Sequence, residues 1–322
     1  MFSKMGVDIA RHEPLLAALG ASAAGCAVFS RHGVPLLLLP RDKALAAATV
    51  DLYHPQTPAA RVAAAALRSI CRAGLQGLLP RAGRSGAQNP AATRLGALFS
   101  NPCHGVRLIA VRESPAGGGL EIVKAAMAAD AAPIRAEHAA LSGLAGVPGV
   151  PAASAIDARG GAVWFSMPFL ANASRGVDVM PLLNAWSGAI EESAAENGLV
   201  RDLMPFVDDE TRTGLAGVKD RRALVHGDFA PWNWRTGADG GPVCVDWEWA
   251  RRDGYSGFDL VYSIVQRAIL VEKVGADRLF GAVEADLARM GDGAAAFLGQ
   301  SGLPLATHVK LVAAYRRWRG MV

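Results

Sequence analysis

The sequence predicts an α+β fold built around an antiparallel sheet, and three observations carry that expectation. Cys26–Arg31 and Val34–Leu39 are apolar, strand-forming runs joined by His-Gly, the signature of a hairpin. Gly117, Gly118 and Gly119 end the loop Glu113–Gly119 between two further candidate strands, the second running to Ala126, and read as a second hairpin turn. Ile134–Leu144 has helical rather than strand periodicity, with Ile134, Ala140, Leu141 and Leu144 expected on one side.

In chain order, Thr57-Pro58 reads as an N-cap followed by proline at the first helical position. It opens an alanine-rich helix that runs to about Arg72 and stops at Gly74. Arg81–Pro90 is polar and turn-rich and is the best candidate linker. Residues 1–95 carry no motif with chemistry and are expected to pack, as hairpin and helices, on the domain that follows. Two loops of the next segment bear on phosphate binding. Ser100–Gly105 has one glycine, whereas the triple glycine, at first sight a phosphate cradle, directly precedes the strand containing Lys124 and fits a hairpin better. That lysine is flanked by apolar residues, as expected of a strand lysine facing a cleft. Glu137 lies in the first turns of the next helix, placed to pair with it. After Gly146–Pro151 and a strand pair, the apolar run Ala162–Leu170 contains Pro168.

Composition bounds the function. The 322 residues are 51% hydrophobic and 19% charged, enough for a sizeable core and two or three subdomains. Four cysteines, at 26, 71, 103 and 244, form no close pair and no metal-ligand spacing, which points to a reduced, cytoplasmic compartment. The apolar stretch Leu15–Phe29 is fifteen residues long, short of the roughly 20 needed to span a bilayer, so no membrane association is expected. Residues 1–169 hold sixteen Lys and Arg against nine Asp and Glu, while residues 170–322 hold seventeen against twenty. A basic front half suits an anionic partner such as a nucleotide. The pattern is otherwise that of a solvated surface, and no nucleic-acid partner is expected.

The chemistry concentrates in one run. His226-Gly-Asp-Phe-Ala-Pro-Trp-Asn233 is followed thirteen residues later by Asp246, just after Val243, Cys244 and Val245, which read as a buried strand. Pro231 restricts the loop so that Asp228 and Asn233 can face one place, and the turn-rich 235–242 brings the strand end back to it. Phosphoryl transfer needs a carboxylate for the attacking hydroxyl, plus an amide oxygen and a second carboxylate for magnesium. Asp228, Asn233 and Asp246 supply that set. Singly, an Asp beside Gly is an ordinary turn residue and an Asn an ordinary cap; their joint spacing sets them apart. His226 is read as a backbone-bonding support, and the interleaved tryptophans mainly as core.

The HGDFAPWN run and the following VDWEWA segment resemble the catalytic loop and metal-binding segment of the aminoglycoside phosphotransferase family, protein-kinase-like enzymes that phosphorylate small molecules. The resemblance covers roughly residues 96–322, with its motifs concentrated in 224–262. It implies a two-lobed protein-kinase-like architecture: a small nucleotide-binding lobe over 96–170, with an antiparallel sheet and one key helix, and a mainly helical catalytic and substrate lobe over 171–322. It implies that Asp228 is the catalytic base or hydroxyl-orienting residue and that Asn233 and Asp246 bind magnesium. His226 and Asp259 would brace the loop, Asp259 from the segment Gly257–Val261. Lys124, held by Glu137, would contact the phosphates of ATP, and the backbone of Ser166, Met167 and Phe169 would meet adenine. The acceptor would be a hydroxyl of a small molecule: a sugar, amino alcohol, amino acid or aminoglycoside. Two other readings stay open. A nucleotide-binding pseudoenzyme is suggested by the glycine-poor loop. A protein kinase would use the same site, although only thirteen residues separate Asp246 from Asp259, too few for a long peptide-positioning loop.

Overall fold

The computed structural model describes residues 9–31, 33–55, 57–81, 94–172 and 177–321. The expected linker falls, beyond Arg81, outside the described residues. The fold is mixed α/β, with a large antiparallel sheet and many helices. The chain divides into two compact units: one of residues 1–145 and 151–171, the other of 146–150 and 172–322.

The first unit is organised by seven strands, β1 (Ala27–Arg31), β2 (Val34–Leu39), β3 (Leu95–Phe99), β4 (Arg107–Glu113), β5 (Leu120–Met127), β6 (Asp157–Arg159) and β7 (Ala162–Pro168). They pair antiparallel in the order β1-β2-β3-β4-β5-β7-β6. The N-terminal hairpin is therefore part of the same sheet as the lysine strand. Alternation along β1 and β2 sorts their side chains onto two faces. Val28 and Leu38 pack with Leu15 and Leu16 of α1 (Glu13–Ala18), whereas Ala27, Leu37 and Leu39 pack with α2 (Lys43–Asp51) and α3 (Pro58–Arg72). Burial on both faces explains why Leu36–Leu39 is an unbroken apolar run. Where α2 crosses β3 the backbones come close, and a Cβ at Gly96 would run into the Thr49 side chain.

Local chemistry fixes the helix ends. Thr57 Oγ1 accepts from Ala60 N at 3.2 Å, and Pro58 occupies the first turn, where its missing N–H costs nothing. At the other end Gly74, at φ +74°, donates to Cys71 O at 2.9 Å while Leu75 N donates to Ile70 O at 3.0 Å, which together cap the last carbonyls. The triple glycine turns β4 into β5 with all three φ values positive, as a hairpin turn requires.

The helix that follows β5, α4 (Ala132–Gly143), buries Ile134, Glu137 and Leu141. This differs from the stripe read in the sequence. Ala140 is only half-buried, and the charged Glu137 takes a place on the buried face. Spacing explains this, because 134, 137 and 141 form the i, i+3, i+7 line.

The second unit carries α5 (Met180–Trp186), α6 (Gly198–Leu203), α7 (Asp209–Leu215), α8 (Phe258–Leu270), α9 (Leu279–Met290), α10 (Asp292–Leu298) and α11 (Leu305–Trp318). A three-stranded antiparallel sheet places Lys219–Val225 between Ser187–Ser193 and Arg251–Tyr255, and a hairpin joins Trp234–Thr236 to Pro242–Cys244. The strand before Asp246 thus ends at Cys244, one residue earlier than expected, because the backbone of Val245 is bonded elsewhere, as described below. Its core includes Phe229, Trp247, Phe258, Tyr262 and Tyr315, all fully buried or nearly so. Among the described residues no helix is long and apolar enough to cross a membrane.

Burial also makes one contribution to stability acid-labile. His308 of α11 is fully enclosed with no hydrogen-bond partner on either ring nitrogen, and burial lowers its pKa to about 4 from 6.5. The unfolded chain takes up a proton below about 6.5 that the folded chain resists until about 4, so stability present at neutral pH is lost as pH falls through this window. The expected loss is about 3 kcal/mol. Asp220 and Asp259, whose pKa values are raised to about 6 and about 7, act in the opposite sense, so the contribution is isolated by comparison with His308→Leu. Lowering the pH from 7.5 to 4.5 should cost wild type about 3 kcal/mol more, by urea unfolding, than it costs His308→Leu; an equal change in both proteins would mean that His308 contributes no acid-labile stability.

Candidate active site

In the first unit, Lys124 sits in the middle of β5, paired in register with Ile109 of β4 and Phe165 of β7. Its ammonium reaches α4 and donates to both carboxylate oxygens of Glu137 at 2.7 Å, with both side chains buried. Buried together, the two groups satisfy each other's hydrogen bonds and fix the lysine head in one place. The structure brings this predicted pair together as an ion pair.

The edge containing Ser166, Met167 and Phe169 is less open than the sequence implies. Ser166 N donates to Ser154 Oγ at 2.8 Å, Ser166 O accepts from Ser154 N at 2.7 Å, and Phe169 N donates to Leu120 O at 3.0 Å. Met167 lies in register with Ile122 with its side chain buried, and Pro168 has no N–H. The backbone donors of Ser166 and Phe169 are thus already used within the unit, because Ser154 and β5 flank the segment. The single-glycine loop is also tied down. Val106 N donates to Asp130 Oδ2 at 2.7 Å, and a Cβ at Gly105, φ +78°, would enter the Asp130 carboxylate.

The second unit holds the other predicted residues, and hydrogen bonds stitch them into one cluster. Asp259, in the first turn of α8, accepts from His226 N at 2.7 Å and from Gly227 N at 3.2 Å. The His226 ring accepts at Nδ1 from Asp228 N at 3.1 Å, which leaves Nε2 to donate to Val245 O at 3.0 Å. Asn233 O accepts from Val245 N at 3.0 Å. Both backbone groups of Val245 are therefore held by the 226–233 loop, and the residue that follows is Asp246. Asn233 Nδ2 donates to Asp228 O at 2.8 Å, orienting the amide so that Oδ1 points away from that bond.

Asp246 has φ +77°, a left-handed conformation that costs a non-glycine residue about 1–2 kcal/mol. It is held there from both sides, by Val245 and by Trp247, whose Nε1 donates to Cys244 O at 2.8 Å from a fully buried ring. Strain maintained in this way is characteristic of residues whose side-chain direction matters. Its negative charge acts on Asp228. Burial first, and the charge of Asp246 second, push the Asp228 pKa up, against the opposing pull of Arg319 and of the Tyr262 hydroxyl. A carboxylate made more basic in this way is a better proton acceptor than a free one.

Three residues of the cluster, Tyr262, Tyr315 and Arg319, were missed in the sequence. Tyr262 Oη donates to Asp228 Oδ1 at 2.8 Å; it stands one helical turn after Asp259, and that i, i+3 spacing was an available signal. Tyr315 Oη donates to Gly227 O at 2.9 Å, and the Arg319 guanidinium lies 4.0 Å from the Trp249 ring centroid. No local pattern in the C-terminal helix marks these two residues. Gly227, at φ +78°, has no room for a side chain: a Cβ would lie 2.5 Å from Trp249 O and 3.0 Å from Tyr315 Oη. Gly227→Ala is expected to destabilise the protein by about 2–4 kcal/mol, from the left-handed backbone and the clash together. A urea midpoint equal to wild type would contradict this geometry.

The donor set suits magnesium. Asn233 Oδ1 and the Asp246 carboxylate are hard oxygen donors, and magnesium usually takes one or two protein ligands, completing its shell with water and phosphate. No group of three or more His, Cys, Asp or Glu able to hold a metal occurs among the described residues, so a dedicated all-protein cage is absent there.

No protein-family model matches the chain, and no curated protein matches it. Solved structures similar to it include the aminoglycoside phosphotransferase APH(4)-Ia, at 11% identity and a TM-score of 0.42, covering 70% of this chain and 86% of that one. A thermostable mutant of the same enzyme, in a ternary complex with ADP and hygromycin B, gives 13% and 0.40 over 70% and 86%. A candidate fructosamine-3-kinase from Haemophilus somnus 129PT gives 13% and 0.37 over 69% and 90%.

Proposed function

We infer that the protein is an ATP-dependent phosphotransferase acting on a hydroxyl of a small molecule. The observation that carries this reading is the stitching of the 226–233 loop to Val245, which sets the basic carboxylate of Asp228 beside the strained Asp246 and the oriented amide of Asn233. The motif resemblance supports the same chemistry.

In this account Asp228 takes the proton of the substrate hydroxyl as its oxygen bonds to the γ-phosphorus. The bond from that phosphorus to the bridging oxygen breaks, and its electron pair leaves with ADP. Asn233 and Asp246 hold magnesium, which when bound neutralises charge developing on the phosphates. Lys124, fixed by Glu137, supplies a further cation for those phosphates. An adenine read along Ser166–Phe169 relies on the carbonyls of Pro168 and Phe169, since the Ser166 and Phe169 N–H groups are engaged. His226 and Asp259 support the loop and take no proton from the substrate.

The nucleotide-binding pseudoenzyme keeps one observation in its favour, the single-glycine loop tied to Asp130. Magnesium-dependent ATP consumption, measured across sugars, amino alcohols, amino acids and aminoglycosides, separates the two readings. Consumption stimulated by one acceptor class is expected. Tight ATP binding without stimulation by any acceptor would favour the pseudoenzyme.

A further inference from the structure

The first unit contains a cavity that the candidate active site does not use. It measures about 250 Å³ and is lined from the first hairpin and from the turn after α3, with Arg41, Gln76 and Arg81 beside Gly25, Gly74 and Gly77. Leu39 and Pro40, both buried, give it an apolar floor. The glycines keep it open. A Cβ at Gly25, φ +79°, would lie 3.2 Å from Arg41 Nη2, so the bare backbone lets the guanidinium lie along the wall. A Cβ at Gly74 or Gly77 would meet nothing within 4 Å.

The chemistry of the lining is one-sided. Gln76 is 4% exposed, and its Nε2 donates to Pro40 O at 3.2 Å and to Arg41 O at 2.8 Å. Both partners are carbonyls that only accept, so the amide cannot be turned round. Its Oε1 is thereby fixed as an acceptor, and it is buried without a partner. A buried acceptor in that state costs stability until a donor reaches it. Arg41 and Arg81 are exposed; Arg41 Nε makes only a long bond, 3.4 Å, to Gly25 O. Among the described residues neither arginine has a carboxylate partner, and no acidic residue lines the cavity. Arg81 is held through its backbone, since Ala27 bridges to it and Val28 N donates to Pro80 O at 2.7 Å.

We propose that this cavity is a binding site for a small organic phosphate monoester, its phosphate taken by Arg41 and Arg81 and a hydroxyl or amine of its organic part donating toward Gln76. Two guanidinium groups without a counter-charge match a dianion better than a monoanion, and each presents a planar fork that fits phosphate oxygens. The organic part follows from the apolar floor, which bare phosphate would leave uncovered, and from the unsatisfied acceptor. A cavity of this size admits a compact molecule with a body of a few carbons. The proposal stands independently of the phosphotransferase reading, since every residue it uses lies outside the candidate active site.

The test is titration calorimetry of the full chain, with magnesium-ADP in excess so that a nucleotide site is filled. Glycerol phosphate, ribose phosphate and glucose phosphate are the probes, and glucose, gluconate and inorganic phosphate the comparisons. At least one monoester is expected to bind, roughly 10–100-fold more tightly than glucose. Arg41→Ala and Arg81→Ala should each weaken it roughly 10-fold. Gly77→Leu, which fills the cavity from a wall position with free space, should abolish it. All three positions are exposed, so urea midpoints should stay at the wild-type value. Should an arginine variant fail to fold, Gly77→Leu carries the comparison. Monoester binding that survives the substitutions, or no binding by any monoester, overturns the proposal. Equal binding of gluconate or of inorganic phosphate overturns the assigned ligand class.

Discussion

Asp228→Asn is expected to lower kcat by roughly 10²–10⁴-fold, the range over which a positioned general base contributes. The thermal midpoint should equal or exceed that of wild type. Both halves of this expectation come from one geometry. Asp228 is held against burial and against Asp246, so its charge is a liability to the fold; asparagine removes the repulsion and can still accept from Tyr262 Oη. The bonds that shape the loop, from Asp228 N to His226 Nδ1 and from Asn233 Nδ2 to Asp228 O, do not involve the Asp228 side chain. A site selected for chemistry at some expense in stability behaves in this way. Loss of stability together with activity would mean that Asp228 is a structural carboxylate.

Lys124→Met is expected to act on both folding and nucleotide binding, and a second substitution separates them. Methionine leaves Glu137 buried without its cation, which should cost about 3 kcal/mol or more. Lys124→Met/Glu137→Leu restores an apolar contact between β5 and α4 and should recover most of that stability. In the phosphotransferase reading neither variant recovers nucleotide affinity, and the Kd for magnesium-ATP should rise roughly 10–100-fold in both. Titration calorimetry on the double variant decides the point. Wild-type affinity in a stable double variant would make the ion pair purely structural.

How much of this was legible in the sequence depended on the range of the interaction. Thr57, Pro58 and Gly74 declared the ends of α3 because caps act over a few residues. The triple glycine declared its hairpin because left-handed φ values are local requirements. Lys124 and Glu137 could be paired because both lie in short elements adjacent in the chain. Of the stripe read on α4, Ile134, Leu141 and Leu144 are buried and only Ala140 is half-buried, because Glu137, paired with Lys124, shares the inward face. Asp259 was recognised through a motif, and Tyr262 could have been found one turn later. Tyr315 and Arg319 were out of reach, since the contacts joining the C-terminal end of the chain to the loop are made only when the second unit packs. That the Ser166 backbone is already bonded was out of reach for a similar reason: Ser154, which takes its N–H and carbonyl, lies across a loop that no local pattern connects to β7.

The central claim is that a phosphoryl group passes from ATP to a small-molecule hydroxyl at Asp228. Phosphorus-31 NMR of the protein with magnesium-ATP and each acceptor class tests it most directly. The account predicts a new phosphate-monoester resonance growing with ADP for at least one acceptor, and its absence with Asp228→Asn. ADP appearing only alongside inorganic phosphate, or a monoester formed equally well by the Asp228→Asn protein, would contradict it.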